Sequence, residues 1–282
     1  MSLLFVWRVK MVRVTDHFLG CIAFLCVEDL EQTTPSPKGT AFAVSVTDGN
    51  RPDVAHCYLI TARHNLELAR TDSIIVRVNS EEGFRDLVTD RNQWQKHDSA
   101  DVACLPFSSE RLEQIPLAYF VGADYPYHFR FSEGGENFPV RVGTESFFVG
   151  LFVQQPGRGG NLPIARFGHV SRMPTEPVVL TSGDGTPFEQ LAYLVECRSW
   201  GGHSGSPAFC IFHRTYAGEP LKHIAFLGLV SGHYDIPTAV KSRNSEERFM
   251  AAVNSGIAIV TPAESVRDLL FREDVVRERN SS

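Results

Sequence analysis

From Gly20 to Val260 the sequence advances in short apolar runs, and this rhythm constrains the possible folds more than anything else in the chain. The first part carries Gly20–Val27, Thr40–Thr47, Ala55–Thr61, Ser73–Val78, Phe84–Val88 and Val102–Pro106. The second carries Phe147–Val153, Ile164–Ser171, Val178–Leu180, Leu191–Glu196, Pro207–Phe212, His223–Val230 and Gly256–Val260. Runs this short, separated by turn signals such as Asp48-Gly49-Asn50 and Asn79–Gly83, read as antiparallel strands. The strand–helix alternation that a parallel sheet needs is absent.

Only Ser108–Asn137 breaks the rhythm, with Glu, Pro, Tyr and Gly in irregular order. The spacing therefore predicts an all-β chain built as two packed six-stranded antiparallel barrels with a C-terminal helix. The first barrel is expected over 14–117, a connection over 118–138, the second barrel over 139–261 and the helix over 262–272. Thr261-Pro262-Ala263-Glu264 has the pattern of a capping box with Pro at the first helical position, and Val266, Leu269 and Leu270 share one helical face. His233–Asn254 is a polar insertion expected to carry a short helix around Ser245–Arg248, and Arg277–Ser282 is expected to be disordered.

Bulk properties exclude several function classes. At 43% hydrophobic and 21% charged residues the chain is an ordinary globular protein, and its net charge of −6 argues against general nucleic-acid binding. No stretch is apolar for the roughly 20 residues that span a membrane. The start, Met1–Arg8, is too short an apolar run for a secretory signal, and Met11 is an alternative first residue. Six cysteines (21, 26, 57, 104, 197 and 210) lie mostly inside apolar runs without paired metal-ligand spacing, which predicts buried thiols in the cytoplasm. No cofactor and no metal are expected. His97-Asp98 and His233-Tyr234-Asp235 read as loop residues.

The chemistry-bearing stretch is Ser199-Trp200-Gly201-Gly202-His203-Ser204-Gly205-Ser206-Pro207. One serine stands in a glycine turn between two strands, and a nucleophilic serine needs an exposed hydroxyl beside free backbone N–H groups. His64 follows a strand directly and Asp101 precedes one. A base for the hydroxyl and a carboxylate to orient that base are the remaining parts of such a site. Asp98 competes for the acid role, but the strand begins immediately after Asp101.

Together these residues resemble the chymotrypsin-fold, trypsin-like serine peptidases. The resemblance rests on Gly39-Thr40-Ala41-Phe42, Leu59-Ile60-Thr61-Ala62-Arg63-His64, Asp101-Val102-Ala103-Cys104-Leu105, Gly202-His203-Ser204-Gly205-Ser206-Pro207 and the late Asn254–Val260 segment. It implies His64 as general base, Asp101 as its orienter, Ser204 as nucleophile, and the N–H groups of Gly202 and Ser204 as the oxyanion hole. His203 stands where zymogen-activated digestive enzymes carry an aspartate, and Asn65 where they carry a disulfide cysteine. Both departures resemble bacterial branches such as the high-temperature-requirement and glutamyl-endopeptidase groups.

The implied specificity region comprises Arg198, Trp200, Ser231, Gly232 and His233, with Arg198 expected near the pocket floor. An acidic preference through Arg198 competes there with a small or apolar pocket edged by Trp200. The implied partners are protein or peptide substrates and a regulatory protein, with no nucleic acid and no membrane. A GxSxG hydrolase elbow does not fit, since residue 206 is Ser and Pro207 enters a strand where that fold needs a helix. The alternative from another class is an inactive family member acting as a protein-binding module.

Overall fold

The apolar runs fold as strands. A computed structural model of the chain describes residues 16–28, 34–47, 55–69, 71–80, 83–107, 121–122, 140–181, 186–216, 219–241 and 248–281. The turn at Asp48-Gly49-Asn50, the N-terminal segment Met1–Arg8 and most of the Ser108–Asn137 connection lie outside these residues.

A one-turn helix, α1 (Asp16–Gly20), leads into β1 (Ile22–Val27), followed by β2 (Ser36–Thr47), β3 (Ala55–Thr61), β4 (Ser73–Ser80), β5 (Gly83–Asp90), β6 (Gln95–Lys96), β7 (Ala103–Phe107) and β8 (Val121–Gly122). They form one sheet in the order β5-β4-β1-β2-β3-β7-β6, with β8 beside β2. Along that order every pairing is antiparallel, and β8 alone joins in parallel. The second half supplies β9 (Glu145–Gly150), β10 (Ile164–Arg172), β11 (Pro177–Thr181), β12 (Pro187–Leu191), β13 (Tyr193–Glu196), β14 (Pro207–Tyr216), β15 (Glu219–Lys241) and β16 (Arg248–Pro262). Six of them close an antiparallel barrel in the order β10-β13-β16-β15-β14-β9, and β11 pairs with β12 in a separate hairpin. Two helices end the chain, α2 (Ala263–Leu270) and α3 (Glu273–Ser281).

The halves are joined by a shared aromatic core. Phe42 from β2 meets Phe226 from β15 at 5.6 Å between ring centroids, and Phe209 stacks on Phe147 at 5.2 Å. Val266, Leu269 and Leu270 of α2 are fully buried in the same cluster, so the closing helix lies against both halves. Fully burying a side chain of this size contributes about 1.5–3 kcal/mol relative to leaving it exposed. The site therefore sits on a seam that packing holds shut.

Several elements differ from the sequence expectation for identifiable reasons. The expected capping box does not form: the helix starts at Ala263 with Pro262 at its N-cap and no side-chain cap, so Thr261 stands one residue too early, and its hydroxyl instead accepts a hydrogen bond from Gln190 Nε2 at 2.8 Å. Arg277–Ser282 is not disordered as far as Ser281, since α3 runs to that residue with Val275 buried beneath it. The described parts of the insertion, His233–Lys241 and Arg248–Asn254, extend β15 and β16 beyond the barrel as a β-ribbon, paired from Asp235↔Asn254 to Lys241↔Arg248, and most of the stretch expected to be helical, Ser245–Arg248, lies outside the described residues. The run Leu191–Glu196 divides at Ala192 into the ends of β12 and β13, which belong to different sheets. Pro37 is tolerated inside β2 because it faces a β-bulge opposite Cys26.

Candidate active site

β3 ends at Thr61, and the chain turns at once into a short 3-10 helix, Arg63–Glu67, that carries His64. The loop before β7 is shaped by His97, whose Nδ1 accepts the N–H groups of Ser99 at 3.2 Å and Ala100 at 2.9 Å. That loop delivers Asp101 to the imidazole. Asp101 Oδ2 lies 2.7 Å from His64 Nδ1, and Oδ1 accepts the His64 backbone N–H at 3.0 Å. Asp101 is 2% exposed, whereas the Asp98 side chain is 90% exposed and faces Arg272 at 3.5 Å. The structure thus brings Asp101, and not Asp98, to His64.

Burial opposes protonation of His64, but the Asp101 carboxylate and its hydrogen bond outweigh it and hold the imidazole above its ordinary pKa. Asp101 is in turn fixed from the other half of the molecule. Its backbone N–H donates to Gln190 Oε1 on β12 at 2.8 Å, and Gln190 Nε2 donates to Thr261, whose hydroxyl is in short contact with Ser231 Oγ.

The serine turn is built on two glycine conformations. His203 N–H donates to Trp200 C=O at 3.1 Å, and Gly202 at the third position has φ +97°, which is a type II turn. Gly205 has φ +87°, and a Cβ there would lie 2.0 Å from the Thr40 carbonyl oxygen. Ser204 is half-buried between them. Its carbonyl accepts Thr40 N–H at 3.0 Å and Asn65 Nδ2 at 2.8 Å, while Thr40 Oγ1 donates to Gly202 C=O at 2.7 Å. These bonds tie the turn to the residue beside His64. The backbone N–H groups of Gly202 and Ser204 have no acceptor among the described residues, so both can serve an incoming oxyanion. The Ser204 hydroxyl and the His64 Nε2 are not hydrogen-bonded to one another, a spacing common before substrate binds.

His203 is fully buried, with its ring edge against Phe148 at 5.1 Å. Its Nδ1 accepts Trp200 N–H at 2.8 Å, which assigns the remaining proton of the neutral ring to Nε2. Burial first, then the nearby Arg166 and His233, push its pKa down to about 4. In the implied specificity region, Ser231 is buried against Thr261, and Gly232 and His233 lie at bulges in β15. Bulges of this kind re-aim side chains beside active sites. Leaving β13, the chain buries Cys197 and Ser199, while Arg198 and Trp200 between and after them are exposed.

All six cysteines are free and buried, and burial pushes the thiols up, to about 12 for Cys21, Cys26, Cys104 and Cys210 and to about 11 for Cys57 and Cys197. Such thiols are poor nucleophiles. Sequence reasoning missed Gln190 altogether and did not assign roles to Thr40 and Asn65, although both stand inside or next to the quoted motifs. A cleft of about 620 Å³ lined by Arg91, Lys96, Arg272 and Arg277 touches none of His64, Asp101 or Ser204.

Comparison with known protein families gives no match, and comparison with curated proteins gives none. Among solved structures the chain is similar to the active form of the Rv3671c protease from M. tuberculosis, at TM-score 0.49 and 17% identity, over 90% of this chain and 81% of that one. An inactive form of the Rv3671c protease is similar at TM-score 0.44 and 17% identity, over 90% and 88%.

Proposed function

We propose that the protein is a serine endopeptidase that works through an acyl-enzyme. One observation carries this reading: the 2.7 Å bond from His64 Nδ1 to Asp101, beside a serine turn that keeps two backbone N–H groups unused. Ser204 Oγ attacks the scissile carbonyl as its proton passes to His64 Nε2, with Asp101 stabilising the imidazolium. The carbonyl oxygen becomes an oxyanion held by the N–H groups of Gly202 and Ser204. His64 then gives its proton to the leaving amine, and a water deprotonated by the same imidazole releases the acyl group and restores Ser204. The substrate class is proteins or peptides. The six free thiols fit a reducing compartment, so we place the activity in the cytoplasm.

Ser204→Ala and His64→Ala should each remove nearly all hydrolysis of a mixed peptide substrate, and the double variant should be little worse than either, because the three residues act as a unit. Near wild-type hydrolysis by Ser204→Ala would show the nucleophile to be another residue. The absent Ser204–His64 hydrogen bond favours one rival, an inactive fold that binds peptides without cutting them. That rival predicts no turnover by the wild-type protein.

A further inference from the structure

Asp101 reaches His64 from the short loop 97–102 that joins β6 to β7. Little in its composition stiffens this loop: Asp98 and Ser99 are exposed, and the segment has no proline. One residue closes it. His97 Nδ1 accepts the N–H groups of Ser99 at 3.2 Å and Ala100 at 2.9 Å, two and three positions ahead. The His97 backbone N–H donates to Val102 C=O at 2.9 Å, and Val102 N–H donates to Ala100 C=O at 2.9 Å. An acceptor for the N–H groups two and three residues on is the part that Asn, Asp or Ser ordinarily plays at a turn. Here an imidazole plays it, which requires the tautomer with its proton on Nε2. Burial, with Arg272 and Arg63 nearby, holds the ring below its ordinary pKa against the pull of Asp268 and Asp98, so Nδ1 is free to accept at neutral pH.

A second contact joins the loop to the base. Arg63 immediately precedes His64 and donates from Nη1 to the His97 C=O at 3.2 Å. Its guanidinium lies 5.6 Å from the centre of the Phe188 ring. Phe188 and Gln190 alternate onto one face of β12, and Gln190 accepts the Asp101 N–H at 2.8 Å. The loop is therefore held at His97 through Arg63 and at Asp101 through Gln190.

We propose that His97 is a positioning residue for Asp101: its bare Nδ1 fixes the loop that sets the angle at which the carboxylate meets His64. The proposal rests on the hydrolase reading only for the use made of the His64–Asp101 pair. A misplacement of about 1 Å in such a group can cost on the order of a hundredfold in rate. The carboxylate also raises the proton affinity of His64 while their bond is made, so that affinity reports the placement of Asp101.

Nuclear magnetic resonance of full-length Ser204→Ala protein tests this without any turnover. With His97 intact, the ring nitrogen shifts should show Nε2 protonated and Nδ1 bare at pH 7. A proton on Nδ1 would overturn the proposal, and this arm needs no variant of His97. His97→Leu removes the acceptor and should lower the proton affinity of His64 about tenfold, a shift of about one pKa unit. His97→Asn offers a side-chain oxygen to the same two N–H groups, and should hold that affinity within about threefold of its starting value. An unmoved His64 titration in His97→Leu would overturn the proposal, as would His97→Asn shifted as far as His97→Leu. Wild-type protein that cleaves no peptide while the His64 titration shifts as expected would remove the hydrolase reading and leave His97 in this role.

Discussion

Asn65 Nδ2 donates to the Ser204 carbonyl at 2.8 Å, so the residue after the imidazole holds the residue that carries the hydroxyl, across 139 positions of sequence. The same amide also donates to Thr61 Oγ1 at 3.0 Å. Asn65 is buried, so this polar clasp is shielded from water.

Removing that clasp should therefore cost both stability and rate. Asn65→Ala leaves buried acceptors short of a donor, at about 1–3 kcal/mol. Tm should fall by several degrees, as measured by calorimetry. The fall in kcat should exceed any rise in KM, because the serine turn shifts relative to His64. An Asn65→Ala protein with wild-type Tm and kcat would contradict this role.

In the proposed mechanism Gln190 is a positioning residue for the acid. Its side chain spans from the Asp101 backbone to Thr261, linking the two halves behind the imidazole. Gln190→Ala should lower kcat about tenfold, equivalent to about 1.4 kcal/mol on the barrier, with KM little changed. Gln190→Glu can still accept from Asp101 but places a second carboxylate beside the first, and should shift the pH profile upward. If kcat and the pH profile in both variants match wild type, the link has no part in catalysis.

The pH dependence of rate follows from His64. The base must be neutral, and Asp101 holds its pKa above the ordinary 6.5, so kcat/KM should rise with pH through a midpoint above that value. Stability runs the other way. A raised histidine pKa contributes stability that is fully present below the unfolded pKa and is lost as pH rises through the folded one. Asp101→Asn should move the kinetic midpoint down and lower kcat by about ten-thousandfold. A midpoint that stays in place in Asp101→Asn would assign the titration to another group.

His203 should weaken the fold in acid. Its pKa is depressed to about 4, so between pH 6.5 and about 4 the unfolded chain binds a proton that the native protein refuses. Stability should fall across that window by roughly 3 kcal/mol from this residue alone. His203→Gln cannot titrate, and urea unfolding at pH 7 and pH 5 should show a smaller loss for it than for wild type. Equal losses would mean that His203 is protonated in the native state.

The strands were legible because their alternation is local, and so was the pairing of His64 with Asp101, since each residue abuts the end of a strand. What escaped the sequence are contacts that no local pattern encodes. Gln190 reaches Asp101 and Thr261 from a hairpin outside the barrel, 89 and 71 positions away. Thr261 matches a capping box by spacing, but the helix begins one residue later, with Pro262 at its N-cap.

The central claim is that Ser204 is an activated nucleophile, and a fluorophosphonate probe tests it most directly. The folded wild-type protein, treated with the probe and mapped by peptide mass spectrometry, should carry one phosphonyl group on Ser204, and His64→Ala should lose most of the labelling rate. An unlabelled Ser204 in the folded protein, or a label that forms as fast without His64, would contradict the account.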